Sequence, residues 1–306
     1  MRERDVPRAE FRVPSGAEGG AGPGARNSGR GVVAVFSGGG AKASAHVGAY
    51  RALEEAGLKP SHIVGTSMGG VFAALFASGL SSREALERVS SIGEKEIVQA
   101  DPFAFIKGLW ARSLLKPEPF RRSLERMIPF RRFEELPIPL TVTSVALDTG
   151  ELTLFGAGGR SIPLLDALYA TAALPLFLPP AVIDGRRYAD GGLRAVLPLE
   201  PASLIPAGLV VAVDVGPGFD EVQGAGGPGL PPVVDLHNEA TGILMAGQTA
   251  MTLALWRASP GRPQLIYVRP RVEKGATFRV DQVHRYAEEG YTATRSALAG
   301  LKSPAG

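Results

Sequence analysis

The 306-residue chain has no cysteine, which excludes disulfides, thiolate catalysis and cysteine-ligated metals. Histidine is scarce: the four present, His46, His62, His237 and His284, form no tight cluster with acidic residues. That argues against a catalytic zinc site, and no calcium-binding loop is visible either. An enzyme built from this chain is therefore expected to work without metal or cofactor. No apolar run reaches the roughly eighteen residues that a membrane-spanning helix needs. The most apolar stretches, around Val71–Leu80 and Ala170–Ile183, are short or broken by proline. Residues 1–30, rich in Gly, Ala, Arg and Pro, lack the apolar segment of a secretory signal and read as a disordered tail. Residues 301–306 read as a second, short tail. The resulting expectation is a cytoplasmic chain whose contact with membranes, if any, is peripheral.

What remains is enough for one ordinary domain over 31–300. With 45% hydrophobic and 21% charged residues, the chain can bury a full core. Apolar strand patterns at Gly31–Phe36, Ser61–Val64, Leu209–Val215 and Gln264–Val268 alternate with helical patterns at Ser44–Ala56, Val71–Ala77, Leu236–Ala258 and Val280–Leu298. Such alternation predicts a three-layer α/β domain. Gly216–Pro232 and its flank to 235, dense in Gly and Pro, read as a mobile loop bordering the mouth of a site.

The most informative stretch is Gly65-Thr66-Ser67-Met68-Gly69, which sets one serine between two glycines where a strand meets a helix. A sharp turn there leaves no room for neighbouring Cβ atoms, and the helix N-terminus favours negative charge close by. Ser67 is thereby a candidate nucleophile, with Gly65 and Gly69 forming its elbow. The plain alternative is a tight strand-to-helix turn with an N-capping hydroxyl.

Some thirty residues upstream, the strand Gly31–Phe36 ends in Ser37-Gly38-Gly39-Gly40-Ala41-Lys42 before a helix. A row of N–H groups at a helix N-terminus holds anions. A phosphate-binding P-loop requires glycine directly before the lysine and Ser or Thr after it, and Lys42 is followed by Ala43. A dinucleotide loop fits the glycine spacing formally but wants an acidic residue about twenty positions on, where this chain instead has Gly65-Thr66-Ser67. The third reading, an oxyanion hole made by Gly38, Gly39 and Gly40, accounts for both glycine clusters. Lys42 either adds charge at that loop or points to solvent.

Together with Asp190-Gly191-Gly192 far downstream, these blocks resemble the patatin-like phospholipase family, in the family's order, over about Gly31 to Leu298. Leu136-Pro137-Ile138-Pro139-Leu140, Asp148-Thr149-Gly150-Glu151 and Ala172–Pro180 are similar to the family too. The resemblance implies a three-layer α/β/α patatin-like fold with a central, mostly parallel sheet. It also implies a lipid or phospholipid acyl hydrolase (phospholipase A, lysophospholipase or esterase) with a Ser–Asp dyad and no catalytic histidine. Ser67 would be the nucleophile, Asp190 the general base, and the glycine loop the oxyanion hole. Ala43 and Val196 depart from the family pattern, and Val196 stands where an asparagine often positions the aspartate. Ala181–Ala189 read as a hairpin that delivers Asp190 to a glycine turn. Because a free aspartate near pKa 4 is a weak base toward a hydroxyl, such a role requires that the site desolvate it or orient it well, which predicts a partly buried cleft.

Two rivals stand beside this reading. An α/β-hydrolase triad needs an acid and then a histidine after Ser67, and only His237, after a Pro-rich loop, and His284, opening a polar helix, lie downstream. A non-catalytic lipid- or nucleotide-binding protein could keep the fold and grip a phosphate with the glycine loop. Residues 103–133 carry eight basic residues against two acidic ones, interleaved with Phe103, Phe105, Trp110, Phe120, Phe130 and Phe133. They read either as a surface for anionic membranes or as helices, split at Pro117, whose aromatics pack inward as a cap while the arginines reach outward. No nucleic-acid recognition motif accompanies the basic charge. Oligomeric state is not written in the chain.

Overall fold

Val32–Phe36 (β1), apolar and mostly β-branched, forms the middle of the sheet, with Val33 to Phe36 fully buried. The computed structural model describes residues 31–93, 99, 113–219, 232–273 and 280–300. The tails at 1–30 and 301–306, the first part of the basic-aromatic segment (103–112) and residues 220–231 of the Gly/Pro loop lie outside the described residues.

A 3-10 turn, Gly40–Ser44, leads from the glycine loop into α1 (Ala45–Glu55). Then come β2 (Pro60–Thr66), α2 (Met68–Ala77) and α3 (Ser82–Ser90), the last started by a capping box between Ser81 and Glu84. Proline at its first position opens α4 (Pro117–Met127). The chain continues through β3 (Leu140–Ala146), β4 (Leu152–Gly156) and α5 (Leu164–Thr171). The hairpin β5 (Ala181–Ile183) and β6 (Arg186–Asp190) turns at Asp184-Gly185, both with positive φ. Short helices α6 (Gly192–Ala195) and α7 (Leu199–Ala202) precede β7 (Leu209–Val213). Last are α8 (Pro232–Ala258), β8 (Gln264–Val268) and α9 (Val283–Ala299).

The strands form one sheet ordered β5-β6-β3-β2-β1-β7-β8, with β4 also on β3. From β3 to β8 the pairings are parallel, whereas β4, β5 and β6 add antiparallel ones. Alternate residues of the central strands face opposite layers. Ala34, Phe36, Ile63, Val211 and Val213 pack on one side with α1, α2 and α9, and Val33, Val35, Val64, Val210 and Ala212 on the other with α7 and α8. The fold is therefore a three-layer α/β/α arrangement around a mostly parallel sheet, as the strand–helix alternation and the family resemblance together imply.

One detail of register places the site. Strand β3 pairs with β2 at Leu140–Thr143, with β6 at Ser144–Ala146, and with β4 across Thr141–Val145. Because β4 overlaps both partners, β2 and β6 must share the opposite edge of β3, end to end. Thr66 pairs with Thr143 and Asp190 with Ser144, so the C-terminal ends of β2 and β6 meet there.

In the described part of 103–133, Phe120 and Phe133 are buried, and Arg121 lies 4.0 Å over the Tyr169 ring while pairing with Asp166 at 2.9 Å. These aromatics pack inward. The expected loop is also shorter at its end, since α8 already starts at Pro232 and so takes in 232–235 and His237. A proline at the first helical turn, whose missing N–H would have no partner there anyway, explains the early start. Helix α8 leaves Ile243, Leu244, Met251 and Leu255 exposed.

Candidate active site

Ser67 occupies the meeting point of β2 and α2 with φ 55° and ψ −135°, a conformation that costs a non-glycine residue about 1–3 kcal/mol. Its N–H donates to Thr171 Oγ1 at 2.9 Å, which ties the elbow to the end of α5. Close packing makes the flanking glycines obligatory: a Cβ on Gly69 would lie 2.2 Å from the Ser37 carbonyl oxygen, and one on Gly65 would lie 2.6 Å from Gly70 Cα. The elbow thus rests directly on the start of the glycine loop.

Across the strand ends, Ser67 Oγ donates to Asp190 Oδ2 at 2.6 Å. The other carboxylate oxygen, Oδ1, accepts from the Gly192 N–H at 2.7 Å. Asp190 is 1% exposed, and burial raises its pKa from 3.8 to about 6, against the opposing pull of the Ser67 and Gly192 hydrogen bonds. A hydroxyl facing a carboxylate of raised basicity can lose its proton to it. Beneath the pair, Thr143 donates to Thr66 Oγ1, and Thr66 donates to the Ala195 carbonyl at 2.9 Å, linking β3, β2 and α6.

The glycine loop lies over Ser67, so that a Cβ on Gly38 would be 3.0 Å from that of Ser67. It is braced from both sides: His46 Nε2 donates to the Ser37 carbonyl at 2.9 Å, and Ser37 Oγ accepts from the Val215 N–H at 2.8 Å. Gly38 departs from the expectation, because its N–H donates to the Val196 carbonyl at 3.0 Å and is already engaged. Among the described residues the N–H groups of Gly39 and Gly40 have no partner. They stand at the start of the turn into α1, where the helix end adds positive potential. Lys42 does not point to solvent: it is 4% exposed and lines the same cavity as Ser67 and Asp190, an open space of about 120 Å³ whose walls also include Leu174, Phe177 and Met245.

The family model for patatin-like phospholipase matches residues 34–203, the stretch that contains the glycine loop, the elbow and Asp190. The chain belongs to the patatin-like phospholipase family. An uncharacterised NTE family protein of Mycobacterium tuberculosis is 31% identical over 185 residues, covering 60% of this chain and 49% of that protein. Patatin-like phospholipase domain-containing protein 6 of Mus musculus is 28% identical over 191 residues, 62% of this chain and 14% of that protein. The chain thus spans half or less of the length of these relatives. Among solved structures, VipD from Legionella pneumophila aligns with a TM-score of 0.43 and 15% identity, covering 89% of this chain and 67% of that one.

Within this patatin-like frame the histidines lie apart from the serine. His46 is fully buried against Phe36 and Phe72, and burial lowers its pKa to about 4 despite its bond to Ser37. His62 bonds Thr141 Oγ1 at 2.8 Å, and its pKa is likewise lowered by burial to about 4. His237 is exposed on α8, and His284 is exposed beside Ser90. None of the four hydrogen-bonds Ser67 or Asp190 among the described residues. No group of three His, Asp or Glu able to hold a metal is found among those residues.

Sequence reasoning missed Thr171, Val196 as the acceptor for Gly38, and Asp214. Asp214 is buried at the end of β7; its Oδ1 accepts from the Gly216 N–H at 2.9 Å, while Arg269 at 3.0 Å and the Tyr267 hydroxyl at 2.8 Å reach Oδ2. The spacing Asp214-Val215-Gly216, which repeats that of Asp190-Gly191-Gly192, was the available signal.

Proposed function

We propose that this chain is a serine hydrolase that cleaves carboxylic esters of lipids, of phospholipase A, lysophospholipase or esterase type, through a Ser67–Asp190 dyad and an acyl-enzyme. The observation that carries the reading is the 2.6 Å bond from Ser67 Oγ to a buried aspartate whose pKa stands near 6. Asp190 takes the hydroxyl proton as Oγ attacks the ester carbonyl carbon, and the carbonyl oxygen becomes an oxyanion facing the Gly39 and Gly40 N–H groups. Collapse breaks the ester C–O bond, and the departing alcohol takes the proton from Asp190. A water then gives a proton to Asp190 and attacks the acyl-enzyme; Ser67 leaves and regains the proton, releasing the carboxylic acid.

The same reading assigns Gly38 to holding the loop, through Val196, rather than to the oxyanion. Lys42 contributes positive charge at the cavity wall. Family membership supports the lipid substrate class. For peripheral contact with a lipid surface, exposed apolar residues lie on α8, which also supplies Met245 to the site cavity, whereas Phe120 and Phe133 of the expected basic-aromatic surface are buried.

The test is covalent labelling with a fluorophosphonate probe, mapped by mass spectrometry on wild type and on Ser67→Ala. Labelling at Ser67 alone supports the reading. A folded wild type that takes no label would overturn it in favour of a binding protein.

A further inference from the structure

The cavity that holds Ser67 and Asp190, at about 120 Å³, is well below the roughly 300–1,000 Å³ of a typical small-molecule site. An acyl chain needs more space than that. A second cavity, of about 390 Å³, lies behind the nucleophile elbow and offers room for on the order of a dozen methylene-sized groups. Its walls are largely apolar, with Val71, Phe72 and Leu75 from α2, Val89 from α3, and Phe120 and Met127 from α4, while Ser44 and Asp281 add polar groups. A void lined by such side chains forgoes dispersion contacts that an apolar ligand restores.

Two further wall residues connect this cavity to the reacting atoms. Ala41 directly follows Gly40 of the glycine loop, and Met68 directly follows Ser67. The boundary between the two spaces therefore falls between consecutive residues, at both the oxyanion donors and the nucleophile. Met68 is half-buried, and its unbranched side chain can change rotamer without disturbing the backbone of α2. At the other end the wall includes Ser90 and His284, both exposed, so the cavity reaches the surface there.

Resting on the hydrolase reading above, we propose that this second cavity is the acyl-chain site. The ester carbonyl sits at Ser67, the chain passes between Ala41 and Met68, and the alcohol portion remains on the Lys42 side. The chemical class taken is an unbranched apolar chain, and α3 sets the length accepted.

The experiment is a chain-length series of p-nitrophenyl esters, from the two-carbon to the sixteen-carbon acid, read as kcat/KM on wild type, Val89→Trp and Ser90→Trp. Ser90 is exposed, so its variant keeps the test alive should the half-buried Val89 position fail to fold. The expected result is a loss of about tenfold or more on the long esters, with the four-carbon ester unchanged within about twofold. Unaltered chain-length profiles, or equal loss at every length in a folded variant, would overturn the acyl-site assignment while leaving the Ser67 chemistry standing. A wild type that neither hydrolyses any ester nor takes the fluorophosphonate would overturn the hydrolase reading, and this assignment with it.

Discussion

Asp190 ends β6 and Asp214 follows β7, and the two are built alike: each is 1% exposed, and each accepts at Oδ1 from the N–H of a glycine two residues on. Their second oxygens differ. Asp214 Oδ2 meets the Arg269 guanidinium and the Tyr267 hydroxyl, whereas among the described residues Asp190 Oδ2 meets only the Ser67 hydroxyl. A buried carboxylate compensated by a cation holds structure; here it anchors the turn at Gly216, whose carbonyl Arg269 also binds at 2.9 Å. A buried carboxylate given only neutral donors keeps an uncompensated charge, and that deficit is what makes it basic.

The contrast breaks most sharply in activity. Asp190→Asn and Ser67→Ala are each expected to lower ester hydrolysis by about ten-thousandfold or more, measured on folded protein. Asp214→Asn should instead act on stability, with a loss of about 3–5 kcal/mol in denaturant unfolding because Arg269 is left without its carboxylate. The same substitution at Asp190 should have the opposite sign. A carboxyl moved from 3.8 to about 6 by folding destabilises the ionised native state by about 3 kcal/mol at neutral pH, so Asp190→Asn should gain up to that amount. Equal signs at the two positions would refute the distinction drawn between them.

The pH profile sharpens it further. Asp190 binds its proton more tightly in the folded chain than in the unfolded one, so its contribution to stability is full below about pH 4 and is lost as pH rises through about 6. Activity runs the other way: kcat/KM should fall as pH drops below about 6, because the protonated carboxyl no longer accepts from Ser67. Asp190→Asn should flatten the stability slope between those values. The smallest effect is expected from His284→Ala, which should leave hydrolysis of short esters unchanged; a hundredfold loss there would bring back a histidine-dependent mechanism.

Much of this was legible in the residues. Gln264–Val268 forms its strand with the expected bounds, and the hairpin read over Ala181–Ala189 forms and delivers Asp190 at the end of its second strand. Local chemistry suffices for such elements, since turn residues and β-branched runs act over a few positions. The employment of the Gly38 N–H was not legible, because it depends on where Val196 arrives after α6, far along the chain. Nor was the role of Thr171, whose hydroxyl reaches the Ser67 N–H only once α5 has docked beside the elbow. Lys42 could be placed only with the cavity formed around it.

In the proposed mechanism a single strand, β3, serves as the ruler for the distance the proton would travel. Thr66 and Asp190 are pinned to adjacent rungs of it, at Thr143 and Ser144, so the gap between Ser67 and Asp190 is set by backbone spacing rather than by any loop. Rearrangements of the surrounding helices can admit or refuse a ligand while that gap stays constant. In such a machine, admission and chemistry are separate dials, and changes at the mouth should register in KM with kcat left nearly untouched.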